Sequence, residues 1–356
     1  MEASGDSSAE ALPGSRRAVK IAVCEADDLT PEGDAGSRAV ADLIERLRAL
    51  GHEVAFFAEA AQGLAERVAA FDPTMIFVTR PGLFARLQPL LAPLDRPLLY
   101  LAHDLHYVRV GLQAEVMGGE AAQAARVLRF VEARCFSTAT VTLLPTHDEV
   151  ARARQDFPAG RFEQINYFAM PPAVPRAERP DDFRVVFVGG HRHAPNYDGV
   201  RWFCQQVWPA IRRARPDAEF WVIGDWGAAR DEFEEIPGVR FLGSLSDADV
   251  DDAMRAARWG AAPLRFGAGM KRKTLHYLAQ GLPVVGTSFA VEGVTETGVV
   301  PGVVRAESAD EWIATLLEDD DASWRERSRA AADFINRSFS AQRQRDDLAR
   351  ALRWVG

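Results

Sequence analysis

The sequence predicts an α/β protein with two Rossmann-like domains, each a doubly wound parallel sheet, that face each other across a cleft. Nearly continuous apolar runs alternate with amphipathic stretches in both halves, as in parallel strands covered by helices on both faces. Between the halves, residues 170–182 hold four prolines in 13 residues, which predicts a linker. The 356 residues suit two domains of about 150–180 each.

These patterns divide the whole chain. Residues 1–17 are rich in Ser, Ala, Glu and Gly and lack the apolar run of a signal peptide, so they predict a disordered tail. We predict an N-terminal domain over 18–169 and a C-terminal domain over 183–338. The last segment, 339–356, is predicted to be a C-terminal helix that could pack back on the N-terminal domain.

The elements follow in order along the chain. The first half contains five predicted strands: Val19–Cys24, Glu53–Ala58, Met75–Thr79, Pro97–Ala102 and Ala139–Leu144. The second half contains five more: Arg184–Val188, Glu219–Ile223, Val239–Leu242, Trp259–Ala262 and Leu282–Gly286. The helices predicted with them are Ser37–Leu50, Glu120–Cys135, Gly199–Arg213, Ala309–Asp319, Ser323–Phe339 and Gln342–Trp354.

Composition excludes several classes of protein. A net charge of −9 argues against nucleic acid or an anionic membrane as the main partner. No apolar run reaches the roughly 18 residues that span a bilayer. The cysteines are three and widely spaced, with no Cys-X-X-Cys, which predicts a reducing cytoplasm and excludes a cysteine zinc site. We expect neither a metal nor a cofactor, because the nearest metal-like grouping, His191-Arg-His193, lacks a carboxylate partner in sequence.

Lysine usage points to one segment. The chain has three lysines among its 42 basic residues, and two of them lie in Arg265-Phe-Gly-Ala-Gly-Met-Lys271-Arg-Lys273. A glycine-rich turn that opens a helix presents N–H groups and the positive end of the helix dipole, which suits a phosphate. The alternative is a solvated helix start. Lys271 and Lys273 differ by about 200° around a helix, so they can face one ligand only if one lies in the turn.

Ligands of such sheets bind beyond the carboxyl ends of the strands, and five of the seven histidines lie there or at the Gly-rich helix: His103, His106, His191, His193 and His276. In His103-Asp104-Leu-His106-Tyr-Val-Arg109, a histidine beside an aspartate can be a polarised base or a hydroxyl donor. Each of these histidines could instead be structural.

Two glycine turns also follow predicted strands. Gly189-Gly190 lets the backbone approach a ligand closely, and we predict that Asn196 or Asp198 caps the helix that follows. Asp34-Ala-Gly36-Ser37 opens the first helix, either as a ligand turn or as a simple cap. Neither turn has the spacing of a dinucleotide or P-loop motif, so NAD and P-loop functions are not supported.

The C-terminal half carries a series of motifs in the order Phe187-Val-Gly-Gly, His193-Ala-Pro-Asn-Tyr-Asp-Gly-Val, Trp208-Pro, Pro216-Asp, Val222-Ile-Gly, Val239–Gly243, Ala262-Pro-Leu-Arg-Phe-Gly-Ala-Gly-Met-Lys-Arg-Lys, Gly281-Leu-Pro-Val-Val and Ala290-Val-Glu-Gly. In their order and spacing, over about 110 residues, these motifs resemble family-4-type glycosyltransferases. The N-terminal half is less specifically similar, through Asp34-Ala-Gly-Ser, Gly51-His-Glu-Val and Leu101-Ala-His-Asp-Leu-His. The resemblance implies the GT-B architecture, a nucleotide-sugar in the interdomain cleft, transfer with retention of configuration and no metal requirement.

The resemblance also implies roles for single residues. Lys271 and Arg265 would stabilise the departing diphosphate, with Gly269 and Met270 in the same turn, and His103 would lie near the reacting sugar. The remaining donor-side candidates are Gly36, Gly189, Gly190, Arg192, His193, Lys273, His276 and Glu292. The acceptor-side candidates are Asp104, His106 and Arg109.

The chain departs from the family in places that bear on the donor. Where many members have two glutamates eight residues apart, it has Ala268 and His276. A carboxylate accepts from two ribose hydroxyls and a neutral imidazole from one, so His276 either accepts one ribose bond or packs beside Tyr277 without ligand contact. Many members also have a lysine where this chain has Pro195-Asn196.

Three functions remain open from the sequence. The leading hypothesis is a retaining, metal-independent glycosyltransferase that moves a sugar from a nucleotide-sugar to an acceptor hydroxyl. The alternatives are a non-catalytic sugar-nucleotide-binding or scaffold subunit, which the missing glutamates favour, and a GT-B sugar-nucleotide epimerase. A saccharide, a protein or a small molecule could be the acceptor, and no basic amphipathic helix indicates a lipid.

Overall fold

The structure is a computed structural model of the chain, and it describes residues 18–26, 29, 35–59, 63–117, 121–166, 168–267, 270–318 and 320–352. The predicted tail 1–17 lies outside the described residues, as do Asp34, Ala268 and Gly269. Among the described residues, no helix combines the length and apolar character needed to cross a membrane.

Each half of the described chain forms a parallel sheet of six strands. The first sheet contains β1 (Lys20–Glu25), β2 (Glu53–Ala58), β3 (Met75–Thr79), β4 (Leu98–Leu101), β5 (Val141–Leu144) and β6 (Phe162–Gln164). The second contains β7 (Arg184–Val188), β8 (Glu219–Ile223), β9 (Val239–Gly243), β10 (Trp259–Ala262), β11 (Val284–Gly286) and β12 (Val303–Arg305). The orders, β2-β1-β3-β4-β5-β6 and β12-β11-β10-β7-β8-β9, confirm the two doubly wound sheets.

Helices connect the strands in both halves. The first half has α1 (Ala35–Ala49), α2 (Leu64–Phe71), α3 (Pro81–Leu91), α4 (His106–Met117), α5 (Ala121–Thr138) and α6 (His147–Asp156), with a 3₁₀ turn at Ala92–Leu94. The second half has α7 (Ala194–Trp202), α8 (Trp208–Ala214), α9 (Asp247–Ala256), α10 (Arg272–Ala279), α11 (Ser288–Val291), α12 (Ala309–Leu317), α13 (Asp321–Ser338) and α14 (Ala341–Ala351), with a 3₁₀ segment at Gly227–Phe233.

The strands follow the apolar runs closely. Five of the ten predicted strands have the predicted bounds, and the other five differ by at most two residues at one end or at each end. Strands β6 and β12 were not predicted. Each has three residues and lies at a sheet edge, so neither builds the long apolar run that identifies a central strand.

The prediction that Asn196 or Asp198 caps the first helix of the second half is wrong. The helix begins at Ala194, with His193 in the capping position and Pro195 in the first turn. Proline at this place is already set to the helical φ angle and lacks an N–H that would go unpaired, so it starts the helix instead of preceding it. The helix continues to Ala214 through a π-helical turn at Phe203–Val207, just before Pro209.

The linker is fastened to the C-terminal domain. The Arg176 guanidinium donates to the backbone carbonyls of Met254, Arg255, Ala257 and Gln280 at 2.9–3.2 Å. At the far end of the chain, Leu348 of α14 is fully buried in a cluster that also contains Val40 and Leu47 of α1. Segments from both ends of the chain therefore share one apolar cluster.

Candidate functional site

The loop after β4 carries His103 and leads into α4. His106 Nδ1 lies 3.0 Å from Asp104 Oδ1 and 3.3 Å from Glu132 Oε1, and Arg109 Nε donates to Asp104 Oδ2 at 2.7 Å. Burial raises the pKa of Asp104, but the charges of His106 and Arg109 outweigh burial and hold that pKa at about 2. The predicted acceptor-side residues Asp104, His106 and Arg109 therefore form one ionic network.

Two buried glutamates that the sequence analysis missed hold this loop in place. Glu132 of α5 accepts from the backbone N–H groups of His106 and Tyr107, at 3.1 and 2.8 Å, and so caps α4. Glu149 of α6 accepts from Leu105 N at 3.0 Å and from the Thr146 hydroxyl at 2.9 Å. Burial, with the charge of Asp104, raises the pKa of Glu149 to about 8.

Two further residues lie beside His103 at the same sheet edge. Arg80 Nε donates to Glu25 Oε1 at 2.7 Å, and His103 Nε2 lies 3.8 Å from Glu25 Oε2. Burial raises the pKa of Glu25, but the nearby His103 imidazole and the charge of Arg80 outweigh it and bring that pKa to about 2. Glu25 ends β1 and Arg80 follows β3, so a systematic look at strand ends would have found both.

On the C-terminal side, Lys271 occupies the turn before α10. It is the N-cap residue of that helix, and its side chain is 8% exposed. Its Nζ lies 3.4 Å from Glu292 Oε2 in the loop after α11. The charge of Lys271 also acts across the interface between the halves, where it opposes the rise in the pKa of Glu149. The predicted donor-side residues Lys271 and Glu292 are thus in contact.

Lys273 lies in the first turn of α10, directly after the turn that holds Lys271. Its ammonium donates to Asn196 Oδ1 and lies 4.1 Å from the centre of the Phe187 ring. Gly189 has a φ of 151°, and a Cβ there would lie 2.5 Å from Asn196 Nδ2 and 3.1 Å from Lys273 Nζ. Glycine at this position thus makes room for the contact between Lys273 and Asn196.

The two lysines are close enough to affect each other. Burial lowers the pKa of Lys273 to about 7, and the charge of Lys271 contributes to the same shift. Helix geometry allows the two lysines to face one ligand only if one lies in the turn, and this is the case, because Lys271 lies in the turn and Lys273 in the helix. A pair of ammonium groups held this close at a helix N-terminus suits a doubly charged anion.

His193 connects the two halves electrostatically. Desolvation by the surrounding protein and the charges of Lys273 and Arg109 together lower its pKa to about 4, while the charge of Asp104 opposes them. Lys273 belongs to the C-terminal half and Arg109 and Asp104 to the N-terminal half, so their interaction with one imidazole brings the two sets of residues together. At neutral pH this imidazole is neutral.

Other contacts cross the same interface. Arg38 of α1 makes an exposed ion pair with Asp247 of α9 at 3.2 Å. A Cβ on Gly293 would lie 2.2 Å from Thr146 Cγ2, so only glycine allows this approach. An interdomain cavity of about 280 Å³ is lined by Met270 together with Asn166, Gly293, Val294 and Arg337 among others. Met270 therefore faces the interface, beside the loop that carries Glu292.

Several predicted residues have other partners. Arg265 makes a two-point ion pair with Asp198 of α7, and the two line a groove of about 350 Å³ with Arg201 and Gln205. Arg192 is 85% exposed and lies 3.7 Å from Asp225.

His276 also has a partner outside the lysine turn. Its Nε2 lies 2.8 Å from Asp251 Oδ1 of α9, an arrangement that neither alternative from the sequence anticipated. Gly190 fits against the backbone of Asp225, because a Cβ on it would lie 3.0 Å from the Asp225 carbonyl oxygen. Gly36 lies in the first turn of α1.

The arrangement combines hydrogen-bonding groups with cations. His103 and the carboxylates around it can orient hydroxyl groups, while Lys271 and Lys273 can stabilise a phosphate. In the described parts of the chain, no group of three His, Cys, Asp or Glu residues is placed to hold a metal ion.

Comparisons with known proteins give one family match in sequence and several similar structures. Residues 182–319 match the family described as glycosyl transferases group 1. The structure resembles sucrose-phosphate synthase from Thermosynechococcus elongatus, with 16% identity, a TM-score of 0.75, and coverage of 94% of this chain and 98% of that one. It also resembles HepE from Anabaena in complex with UDP-glucose, with 16% identity, a TM-score of 0.67, and coverage of 94% and 99%.

A third similar structure is WaaG, a glycosyltransferase involved in lipopolysaccharide biosynthesis, with 14% identity, a TM-score of 0.61, and coverage of 92% of this chain and 98% of that one. No curated protein sequence matches the chain significantly. The architecture expected from the sequence is confirmed: the chain has the GT-B fold, and residues 182–319 match the group 1 glycosyl transferase family.

Proposed function

We propose that the chain is a retaining, metal-independent glycosyltransferase that moves a sugar from a nucleotide-sugar donor to an acceptor hydroxyl. The observation that carries this proposal is the placement of Lys271 and Lys273 at the N-terminus of α10, where Lys271 contacts Glu292 and Lys273 contacts Asn196. The charges of Asp104 and Arg109 from the N-terminal half act on the same His193 imidazole as Lys273. The family match over 182–319 supports the same conclusion.

In this proposal the donor diphosphate lies at the N-terminus of α10. Lys271 and Lys273 with the helix dipole stabilise the charge that develops as the bond between the sugar C1 and the phosphate oxygen breaks. Glu292 lies 3.4 Å from Lys271, and in this proposal the donor phosphate replaces Glu292 as the partner of Lys271. Arg265 stays a predicted contributor, and it would have to leave Asp198 to reach the donor.

The N-terminal loop serves the sugar and the acceptor. His103 binds a hydroxyl of the reacting sugar, and Asp104 with its network keeps the loop rigid. The acceptor oxygen bonds to C1 on the face that the diphosphate leaves, and its proton passes to the departing phosphate oxygen. Configuration at C1 is retained as a result.

The test is turnover of a panel of nucleotide-sugars, beginning with UDP-sugars because there are crystal structures of HepE with UDP-glucose and of the pneumococcal O-GlcNAc transferase GtfA with UDP and GlcNAc. We expect release of the nucleoside diphosphate, to water or to an acceptor, that survives excess chelator. Anomeric couplings in the NMR spectrum of the glycoside should match those of the donor. Loss of activity on chelation that Mg²⁺ or Mn²⁺ restores would contradict metal independence.

The second candidate is a non-catalytic sugar-nucleotide-binding subunit. It is favoured by the pairing of His276 with Asp251, which engages the imidazole proposed to replace a ribose-binding carboxylate. Such a subunit would bind a nucleoside diphosphate without turning over any nucleotide-sugar. The same panel therefore separates the two functions, and an epimerase would be recognised by isomerised donor without transfer.

A further inference from the structure

The ends of β1, β3 and β4 bring three charged or titratable side chains together. In the parallel register Cys24 pairs with Val78, and Thr79 pairs with Leu101. Glu25 at the end of β1, Arg80 directly after Thr79 and His103 two residues after Leu101 therefore lie near one another at the carboxyl edge of the sheet.

Glu25 is the centre of this group. Its side chain is fully buried, and its Oε1 accepts from Arg80 Nε at 2.7 Å and from Ala26 N at 2.9 Å. Its other oxygen lies 3.8 Å from His103 Nε2. A buried carboxylate is costly unless it is paired, so its presence here depends on Arg80 and His103.

The backbone at Arg80 is strained. Its φ of 52° and ψ of 130° lie in a region that residues with side chains rarely adopt. The Arg80 guanidinium nevertheless bonds Glu25, and its side chain remains 30% exposed. Strain of this kind persists only where the surroundings hold it, and it is concentrated at functional sites.

We propose that Glu25 is a positioning residue that orients the His103 imidazole for the reacting sugar and holds Arg80 at the edge of the site. This inference rests on the proposed function. Glu25 Oε2 lies 3.8 Å from His103 Nε2, the charge of Asp104 interacts with the same imidazole, and Arg80 is paired with Glu25. The alternative is that Glu25 only fastens β1 to β3.

Kinetics separate these roles. Glu25→Gln keeps the shape and an acceptor for Arg80 but removes the charge that faces His103. We expect kcat to fall about tenfold to a hundredfold, as when the supporting partner of a metal-binding histidine is removed, with the donor KM unchanged. In a His103→Ala background, Glu25→Gln should have no further effect on kcat. A wild-type kcat in Glu25→Gln, or losses that add up in the double variant, would overturn the proposal.

The matched control is Glu59→Gln. Glu59 follows the neighbouring strand β2 at the same sheet edge, and it pairs at two points with Arg86 of α3, at 2.8 and 2.6 Å. We expect wild-type kcat for this variant. An equal loss in both variants would show a general electrostatic effect and would count against a specific role for Glu25.

A second measurement does not depend on activity. In protein labelled with ¹⁵N-histidine, the His103 ring resonances, assigned by their loss in His103→Gln, should shift in Glu25→Gln at constant pH and stay unchanged in Glu59→Gln. If Glu25→Gln does not fold, Glu25→Asp serves for both measurements, because the shorter side chain keeps the charge but moves it away from His103. An unshifted His103 ring overturns the proposal, whereas an absence of turnover with every donor, despite shifted resonances, overturns the glycosyltransferase function instead.

Discussion

The two sides of the candidate site handle charge in opposite ways. On the N-terminal side an acidic cluster, made of Glu25, Glu132 and Glu149, is buried near the loop of His103, and Glu132 and Glu149 accept hydrogen bonds from the backbone of that loop. On the C-terminal side a basic pair, Lys271 and Lys273, lies at a helix N-terminus, where the charge of Lys271 acts on Lys273.

The difference indicates separate roles for the two sides of the candidate site. Carboxylates that hold backbone N–H groups make the N-terminal loop rigid, which suits the recognition of sugar hydroxyls by fixed geometry. The pKa of Lys273 is lowered by burial and by the charge of Lys271, and a bound anion would favour its protonated form, which suits the capture of a diphosphate. Variants on each side should therefore fail in different ways.

The largest effect is expected on the basic side. Lys271→Ala should lower kcat by about 10²–10³, the range seen when one preorganised group that stabilises the transition-state charge is lost. Lys271→Arg should rescue poorly, because a planar fork replaces a compact ammonium. Steady-state kinetics give the result, with Lys20→Ala as a control, since Lys20 is an exposed lysine near Glu53. Wild-type kinetics in Lys271→Ala would remove the residue from the site.

The acidic side should separate rigidity from chemistry. We expect His103→Ala to lower kcat about a hundredfold and His106→Ala to leave kcat nearly unchanged. His106→Ala should instead lower the free energy of unfolding by about 1–3 kcal/mol, because Asp104 and Glu132 lose a buried partner. Denaturant titration and kinetics on both variants test this, and an inactive His106→Ala beside an active His103→Ala would reverse the assignment.

Lys273 should make donor binding depend on pH. The pKa of Lys273 is about 7 in the folded protein, below the ordinary 10.5. Between these two pH values the unfolded chain binds more protons than the folded one, so the contribution of Lys273 to stability rises with pH. A diphosphate favours the protonated amine, so donor affinity should fall above pH 7, by about tenfold from pH 6.5 to 8.5. Calorimetry should find a weaker pH dependence in Lys273→Arg. An affinity that rises with pH would contradict the placement of the donor.

The smallest effect is expected at His276. Because its Nε2 lies 2.8 Å from Asp251, His276→Ala should weaken donor binding no more than about threefold, the lower end of what a neutral hydrogen bond contributes. His276→Glu would place a second carboxylate beside Asp251 and should not improve affinity. Tighter binding by His276→Glu would show instead that the ribose lies at this position.

The basic residues of the candidate site are easier to single out from the sequence than the acidic ones. Lys271 and Lys273 lie in one short glycine-rich segment of a lysine-poor chain, so local pattern was enough to identify them. Glu25, Glu132 and Glu149 are more than 100 residues apart at the extremes, and each looks like an ordinary surface carboxylate in sequence. Only the parallel register of β1, β3 and β4 and the packing of α5 and α6 bring them under one loop.

The same limit applies to single contacts. The apolar runs predicted the central strands, because burial on both faces needs continuous hydrophobic residues. Nothing local in the sequence indicated that Arg265 would pair with Asp198, 67 positions away, or that His276 would meet Asp251. Ion pairs between distant segments depend on the fold, and the fold has to be known first.

The most direct test of the account is calorimetric titration of nucleoside diphosphates into the wild-type protein, Lys271→Ala and His103→Ala. If the basic pair binds the diphosphate and His103 serves the sugar, Lys271→Ala should lose most of the affinity while His103→Ala keeps it. The intact nucleotide-sugar should then bind more weakly to both variants than to the wild type. Equal binding of the diphosphate by the wild type and Lys271→Ala would contradict the account.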